Sequence, residues 1–162
     1  MSDLPMSRGC IVCGRDNPVG LHIQFRRTPT GVEATVRPQA HFQGFSGVLH
    51  GGVVCGLLDD AMWWAIYAQR EVITMTADIS VRYKKPVPVG TDLRVEASVD
   101  AARNSRLFLA SGRLRDAAGE VLAEAHGKFL AAPAGLAATL TRELASGARH
   151  AEEGSATPRS EG

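Results

Sequence analysis

The run Gly47-Val48-Leu49-His50-Gly51-Gly52 sets a histidine and two side-chain-free positions directly before a long apolar stretch, and two acids, Asp59 and Asp60, lie within that stretch. A helix starting here has first amides with no intrahelical acceptor, an arrangement that binds an anion or a developing oxyanion. Glycine costs about 0.8–1.0 kcal/mol relative to alanine inside a helix, so two in succession suggest that something must approach the backbone closely. A thioester carbonyl would suit. The plainer reading, that Gly51 and Gly52 only let a helix enter a crowded sheet, has the acids against it, since acids on a buried helix are costly unless paired, bonded or used.

Adjacent helical residues point about 100° apart, so Asp59 and Asp60 cannot serve one site. Asp59 shares a face with Gly52, Cys55, Gly56, Met62 and Trp63, and Asp60 with Val53, Leu57, Trp64 and Tyr67. The smaller neighbours make Asp59 the more accessible acid, and Asp60 is expected to bond across a subunit contact or to a strand. Gly51 and Asp59 are eight residues apart, about 12 Å along a helix axis. One carbonyl cannot touch both. If both act on one substrate, the acid must come from a second copy of the helix, as in a two-fold dimer.

The elements that must hold these residues follow from hydrophobic period. Leu21, Ile23 and Phe25 share one strand face, Thr30-Gly31 turns, and Val32, Ala34 and Val36 share the next, which predicts a hairpin. Residues 51–68 lack proline and are apolar nearly all round, which predicts a buried helix. Four strand-like stretches follow, near 73–83, 91–101, 105–115 and 119–131. In the second of these, Leu93, Val95, Ala97 and Val99 face opposite to Arg94, Glu96, Ser98 and Asp100. With no second long helix before residue 135, the sheet must curl around helix 51–68. The expected fold class is α+β, a hotdog: a curved antiparallel sheet of five to six strands around one central helix. Residues 1–19 read as an irregular lead-in, 20–132 as the domain, and 133–162 as a tail with a short helix over Leu136–Leu144 and a disordered end of about fifteen residues.

The 162-residue chain falls in the range of one domain, and 18 Lys plus Arg against 17 Asp plus Glu give no basic excess that would argue for nucleic acid. Three cysteines, Cys10, Cys13 and Cys55, are too sparse and odd for a disulfide framework and favour a reducing, cytoplasmic setting. The N-terminus lacks a signal-peptide pattern, and no apolar run approaches the ~20 residues that span a bilayer, so no membrane role is expected. Cys10-x-x-Cys13 has no second pair beside it, and His22 alone does not complete four zinc ligands. No metal or cofactor is assigned, and the pair is left as structural or without a role. Cys55 has no base beside it and is not expected to act as a nucleophile.

The run Phe42-Gln43-Gly44-Phe45-Ser46-Gly47-Val48-Leu49-His50-Gly51-Gly52, followed by Leu57-Leu58-Asp59-Asp60-Ala61-Met62, resembles the hotdog thioesterases of the phenylacetate-pathway type, PaaI-like proteins. The likeness extends over residues 8–131 and includes Cys10-x-x-Cys13-Gly14 and Asn17-Pro18-x-Gly20-Leu21. It implies acyl-CoA thioester hydrolysis by a homodimer, with a homotetramer as the further option. By the same resemblance the Gly51 amide polarises the carbonyl, Asp59 of the partner subunit attacks or activates water, and His50 shapes the turn. Gln43 and Thr76 would hold the water.

Each assignment has a plain counterpart. His50 reads equally as a structural histidine bonding a strand carbonyl, and Thr76 as an ordinary strand threonine. Met62, Trp63 and Trp64 are candidates for an acyl pocket, though such residues at helical spacing commonly form plain core. Trp63 and Gly52 are kept as substrate-binding candidates. Arg82, Lys84, Lys85 and Arg106, with Arg103 nearby, are the cations available for the phosphates of coenzyme A. The competing functions are a non-catalytic acyl-CoA-binding hotdog and an acyl-thioester hydratase or dehydratase.

Overall fold

A computed structural model describes residues 4, 5 and 7–153, with side chains as far as residue 145. The elements in chain order are β1 (Arg26–Thr28), β2 (Gly31–Val36), a 3-10 turn (Ala40–Phe42), β3 (Gln43–Phe45), β4 (Val48–Leu49), α1 (Gly51–Arg70), β5 (Thr74–Tyr83), β6 (Leu93–Arg103), β7 (Leu107–Arg115), β8 (Val121–Ala131) and α2 (Ala134–Glu153). Six strands form one antiparallel sheet in the order β1-β2-β6-β7-β8-β5. Helix α1 packs against β2, β5, β6, β7 and β8, so the sheet wraps it as the hotdog expectation requires.

Alternation in the strands makes this possible. Leu93, Val95 and Ala97 are buried on the face toward α1, and Leu57, Leu58, Ala61 and Met62 meet them with 0% exposure. The helix sits close because the central strands carry glycines beneath it. A Cβ on Gly112 would come within 3.3 Å of Leu58 Cδ2, and one on Gly127 within 2.6 Å of Phe129 Cε2 and 3.1 Å of Met62 Cε. Met62 is thereby committed to the sheet interface and does not wall an acyl pocket.

Three elements depart from the sequence expectation. The first hairpin strand is paired only over Arg26–Thr28, although Ile23 and Phe25 are buried as their alternation predicts. The reason is local: His22 has φ 54°, and the Leu21 and Ile23 amides donate to the carbonyls of Ile11 and Val12. The lead-in thus takes the place of a strand partner and contributes Leu4, Val12 and Cys13 to the core. A two-stranded ribbon, β3 with β4, turns at Gly47, where φ is 78°. Finally, α2 begins before Leu136 and runs to Glu153, beyond the expected Leu136–Leu144, and so enters the stretch expected to be disordered. The rest of that stretch, residues 154–162, lies outside the described residues.

Candidate active site

Helix α1 starts where the glycines predicted. His50 is its N-cap, with φ −60° and ψ 135°, and its Nδ1 accepts the Gly52 amide at 2.9 Å. A ring nitrogen that accepts an amide proton is unprotonated, so in the neutral ring the proton sits on Nε2. His50 therefore bonds no strand carbonyl through Nδ1; it caps the helix. Glycine at 52 permits the contact, since a Cβ there would stand 3.1 Å from Nδ1. The Val53 and Val54 amides donate to the His50 carbonyl at 2.9 and 3.1 Å. The Gly51 amide, first in the helix, has no intrahelical acceptor, and Gly51 is exposed.

Two further side chains shape this end. Gln43 Oε1 accepts the Gly47 amide at 3.1 Å and closes the β3–β4 turn. Tyr83, at the end of β5, donates its hydroxyl to the Gly51 carbonyl at 2.7 Å. Sequence reasoning missed Tyr83. Its residue type carries no signal by itself, and only the pairing of β5 beside the helix start reveals it.

Asp59 lies eight residues further along the same unbroken helix, hence about 12 Å from Gly51 along the axis. Thr76, on β5, donates its hydroxyl to Asp59 Oδ1 at 2.8 Å. Burial pushes the Asp59 carboxyl up, and the Thr76 hydroxyl partly offsets this. One chain therefore brings Asp59 to Thr76, and Gly51 to His50 and Tyr83, with Gln43 turned to Gly47, but keeps the two groups apart.

Asp59 borders a cleft of about 260 Å³ between α1, the start of β5 and α2. Trp63, Ile73, Met75 and Leu140 give it apolar walls. Trp63 is fixed by its indole N–H, which donates to the Thr74 carbonyl at 2.8 Å, and by stacking on Tyr67 at 5.4 Å. Trp64 also reaches this cleft but is 1% exposed. A larger concavity of about 420 Å³ lies around Glu33, Arg94, Glu96 and Arg113, and none of the candidate residues lines it. The smaller cleft is the one beside Asp59 and Thr76.

Asp60 departs from expectation. Among the described residues no hydrogen bond joins it to a strand; its Oδ1 lies 3.8 Å from Cys10 Sγ in the lead-in, and Cys13 is in the same group. Burial pushes the Asp60 carboxyl up to about 8, and the neighbouring Cys10 adds to the effect. Hydrogen bonding from Cys13 holds the Cys10 thiol down at about 5. Burial pushes the Cys55 thiol up, with the Asp59 charge adding to it, which does not suit a nucleophile.

The cations divide between two ends of the sheet. Arg82 is exposed and pairs across strands with Glu124, Lys84 contacts Glu124 at 2.8 Å, and Lys85 contacts Glu120. Arg106 is exposed at the far end, where its carbonyl accepts the Ala131 amide. A single chain does not gather them around one ligand. Among the described residues no helix is long and apolar enough to cross a membrane.

Comparison with known proteins bears on the same segments. The family model of the thioesterase superfamily matches residues 46–123, which hold His50, Gly51, Gly52, Asp59 and Thr76. The acyl-coenzyme A thioesterase THEM4 of Rattus norvegicus is 30% identical over 69 residues, 43% of this chain and 29% of that protein. The Bos taurus protein of the same name is 29% identical over 69 residues, 43% of this chain and 27% of its own length. The chain thus spans less than a third of these curated relatives. Among solved structures, a thioesterase superfamily protein superposes with TM-score 0.69 at 28% identity, covering 76% of this chain and 60% of that one. The PaaI protein of the E. coli phenylacetic acid degradation operon superposes with TM-score 0.62 at 18% identity, covering 68% and 83%, a likeness of fold. The resemblance read from the Gly47–Gly52 and Asp59 segments stands.

Proposed function

We propose that this chain, a hotdog protein of thioesterase type, hydrolyses acyl-CoA thioesters at a site shared between two subunits. The observation that carries the reading is the placement of the two half-sites along β5. Asp59 is bonded to Thr76 near one end of the strand, and Gly51 to Tyr83 at the other. In the sheet order β5 is terminal, and among the described residues it pairs only with β8. Its other edge has no strand partner among the described residues and so offers a template for a second strand. Antiparallel pairing of two β5 edges about their middle, near Ile79 and Ser80, sets Thr76 of one chain opposite Tyr83 of the other. The Gly51 amide then faces the partner subunit's Asp59. Met75 and Tyr83 on this strand are 48% and 51% exposed, and Phe45 beside the helix start is 84% exposed, apolar surface suited to burial between subunits.

At such a site the Gly51 amide hydrogen-bonds the thioester oxygen as charge develops on it. Thr76 occupies one oxygen of Asp59, leaving the other to take a proton from water. The water oxygen attacks the carbonyl carbon, the carbon–sulfur bond breaks, and the proton held by Asp59 passes to the departing coenzyme A thiolate. A carboxyl raised by burial is better matched to this base role than an exposed one. Trp63, Ile73 and Met75 would wall the acyl chain. The same two-fold operation carries Arg106 of one chain toward the Arg82–Lys85 end of the other, where coenzyme A phosphates could bind. The non-catalytic alternative is favoured by an Asp59 bonded away from any cleft, and Asp59 borders one.

A panel of acyl-CoA substrates, assayed for thiol release, tests the reading. Hydrolysis of at least one member is expected, and failure of all of them overturns it. Gly51→Pro sharpens the test, because proline is well tolerated at the first helical position and removes the amide hydrogen, and its Cβ would stand 3.6 Å from the Tyr83 ring, an ordinary contact. His50 already has the extended backbone that precedes proline. The loss expected for one oxyanion donor is about 10²–10³ in kcat. Mixing Gly51→Pro with Asp59→Asn chains gives heterodimers with one intact site, so about a quarter of wild-type activity should return at equal ratio after random exchange. No recovery after demonstrated exchange would place both groups in one chain.

A further inference from the structure

The Cys10-x-x-Cys13 turn, unused by the reaction above, is folded around its first sulfur. The Val12 and Cys13 amides both donate to Cys10 Sγ, at 3.3 and 3.5 Å, and the Gly14 amide closes the turn on the Cys10 carbonyl at 2.9 Å. Only glycine fits at position 14, where a Cβ would stand 2.4 Å from the Cys10 backbone nitrogen and oxygen. The second sulfur has a donor of its own, the Trp64 indole N–H, 3.4 Å from Cys13 Sγ. The amides aimed at Cys10 favour its thiolate, the form that binds metal, and Cys13, which donates its own S–H to Cys10, gives up that proton when a metal binds.

Against these sulfurs the helix sets a carboxylate. Cys10 Sγ, Cys13 Sγ and an Asp60 oxygen all lie within 4.8 Å of one another. Around a tetrahedral zinc ion, with Zn–S about 2.3 Å and Zn–O about 2.0–2.2 Å, such atoms stand roughly 3.5–3.8 Å apart. The 3.8 Å from Cys10 Sγ to Asp60 Oδ1 is already at that spacing. Asp60 Oδ2 is shielded from solvent and has no hydrogen-bond partner among the described residues, a costly state for a buried polar atom.

We propose that Cys10, Cys13 and Asp60 bind one thiophilic divalent cation, zinc being the best match. Two sulfur ligands select zinc over the oxygen-seeking magnesium and calcium. The cation takes the place of the protons on these ligands and gives Asp60 Oδ2 a partner. The fourth position faces the cleft that also borders Asp59, and water can fill it. Trp64 orients one ligand from behind in the manner of a supporting shell. The ion would pin the lead-in to α1 one residue from the candidate catalytic acid.

The test uses the full chain, reduced, loaded with zinc, dialysed, and assayed for metal content by mass spectrometry. One zinc per chain is expected. Cobalt(II) in its place should give the near-ultraviolet sulfur-to-cobalt charge-transfer band and the visible bands of tetrahedral coordination. Cys10→Ser and Cys13→Ser should each lose charge-transfer intensity, whereas Cys55→Ser should keep it. Asp60→Asn, nearly isosteric, should weaken zinc by more than the roughly 10–100-fold of a supporting contact. Circular dichroism checks that each variant folds, and Asp60→Asn decides the matter if the serine variants do not. The proposal is overturned if the folded wild type takes up no zinc, if Asp60→Asn retains wild-type affinity and cobalt spectrum, or if anaerobically isolated protein carries a Cys10–Cys13 disulfide. None of these readouts depends on thioester hydrolysis.

Discussion

Asp59 and Asp60 are neighbours in sequence and border one cleft, yet they bond in opposite directions. Asp59 reaches the sheet, takes a hydrogen bond from Thr76, and lies beside the open edge of β5. Asp60 reaches the lead-in and meets two sulfurs, with one oxygen left without a partner among the described residues. The 100° step between consecutive helical residues produces the whole difference. A buried helix can therefore carry two acids if each finds its own compensation: a hydroxyl and a partly open cleft for one, and in our proposal a cation for the other. It also means that their chemistry can be separated by single substitutions.

The largest separation comes from Asp59→Asn. Loss of a general base should lower kcat by about 10²–10⁴, while zinc content stays at the wild-type level because Asp59 is not among the ligands. If activity survives, the base assignment fails. If zinc is lost along with activity, the two acids form one site and the comparison breaks. Thr76→Val comes next. It removes the hydroxyl from Asp59 Oδ1 at nearly constant volume, and a hydrogen bond to a charged group is worth about 1.5–3 kcal/mol. Part of that is recovered by water at the partly open site, so a fall of about tenfold in kcat is expected, again with zinc unchanged. An unaltered rate would reduce Thr76 to an ordinary strand residue.

The Asp59 half of this comparison was readable before the fold was known, and the Asp60 half was not. Helical spacing depends only on the local chain, so the unbroken α1 kept Gly51 and Asp59 as far apart as counting residues required. The six-strand sheet was legible for a similar reason, since alternation in β6 repeats every two residues. The contact of Asp60 with Cys10 joins positions 50 residues apart and depends on the lead-in folding back over the helix. Zinc sites are legible in sequence through closely spaced cysteine and histidine pairs, and a single carboxylate far along the chain carries no such spacing. Tyr83 was hidden in the same way, because the end of β5 reaches Gly51 only through the wrapped sheet. The length of α2 was underestimated because Gly135 and Gly147 weaken its propensity, while packing of Leu140 and Leu144 beside the cleft favours the helix.

The smallest effect concerns the start of α1, where His50 could act through its ring chemistry or through its cap. The Nδ1 bond to the Gly52 amide at 2.9 Å makes it the N-cap. His50→Ala should then cost about 1 kcal/mol of stability, which in a domain of this size lowers Tm by about 2–4 °C. His50→Asn separates the two roles, because asparagine is among the best N-caps and its side-chain oxygen can accept the same amide. If His50 serves by holding the helix start, the asparagine variant should restore both the Tm and most of the hydrolysis rate lost in the alanine variant. If the Tm recovers and the rate does not, the imidazole takes a direct part in the reaction. The N-terminal half-site would then comprise the His50 ring as well as the Gly51 amide.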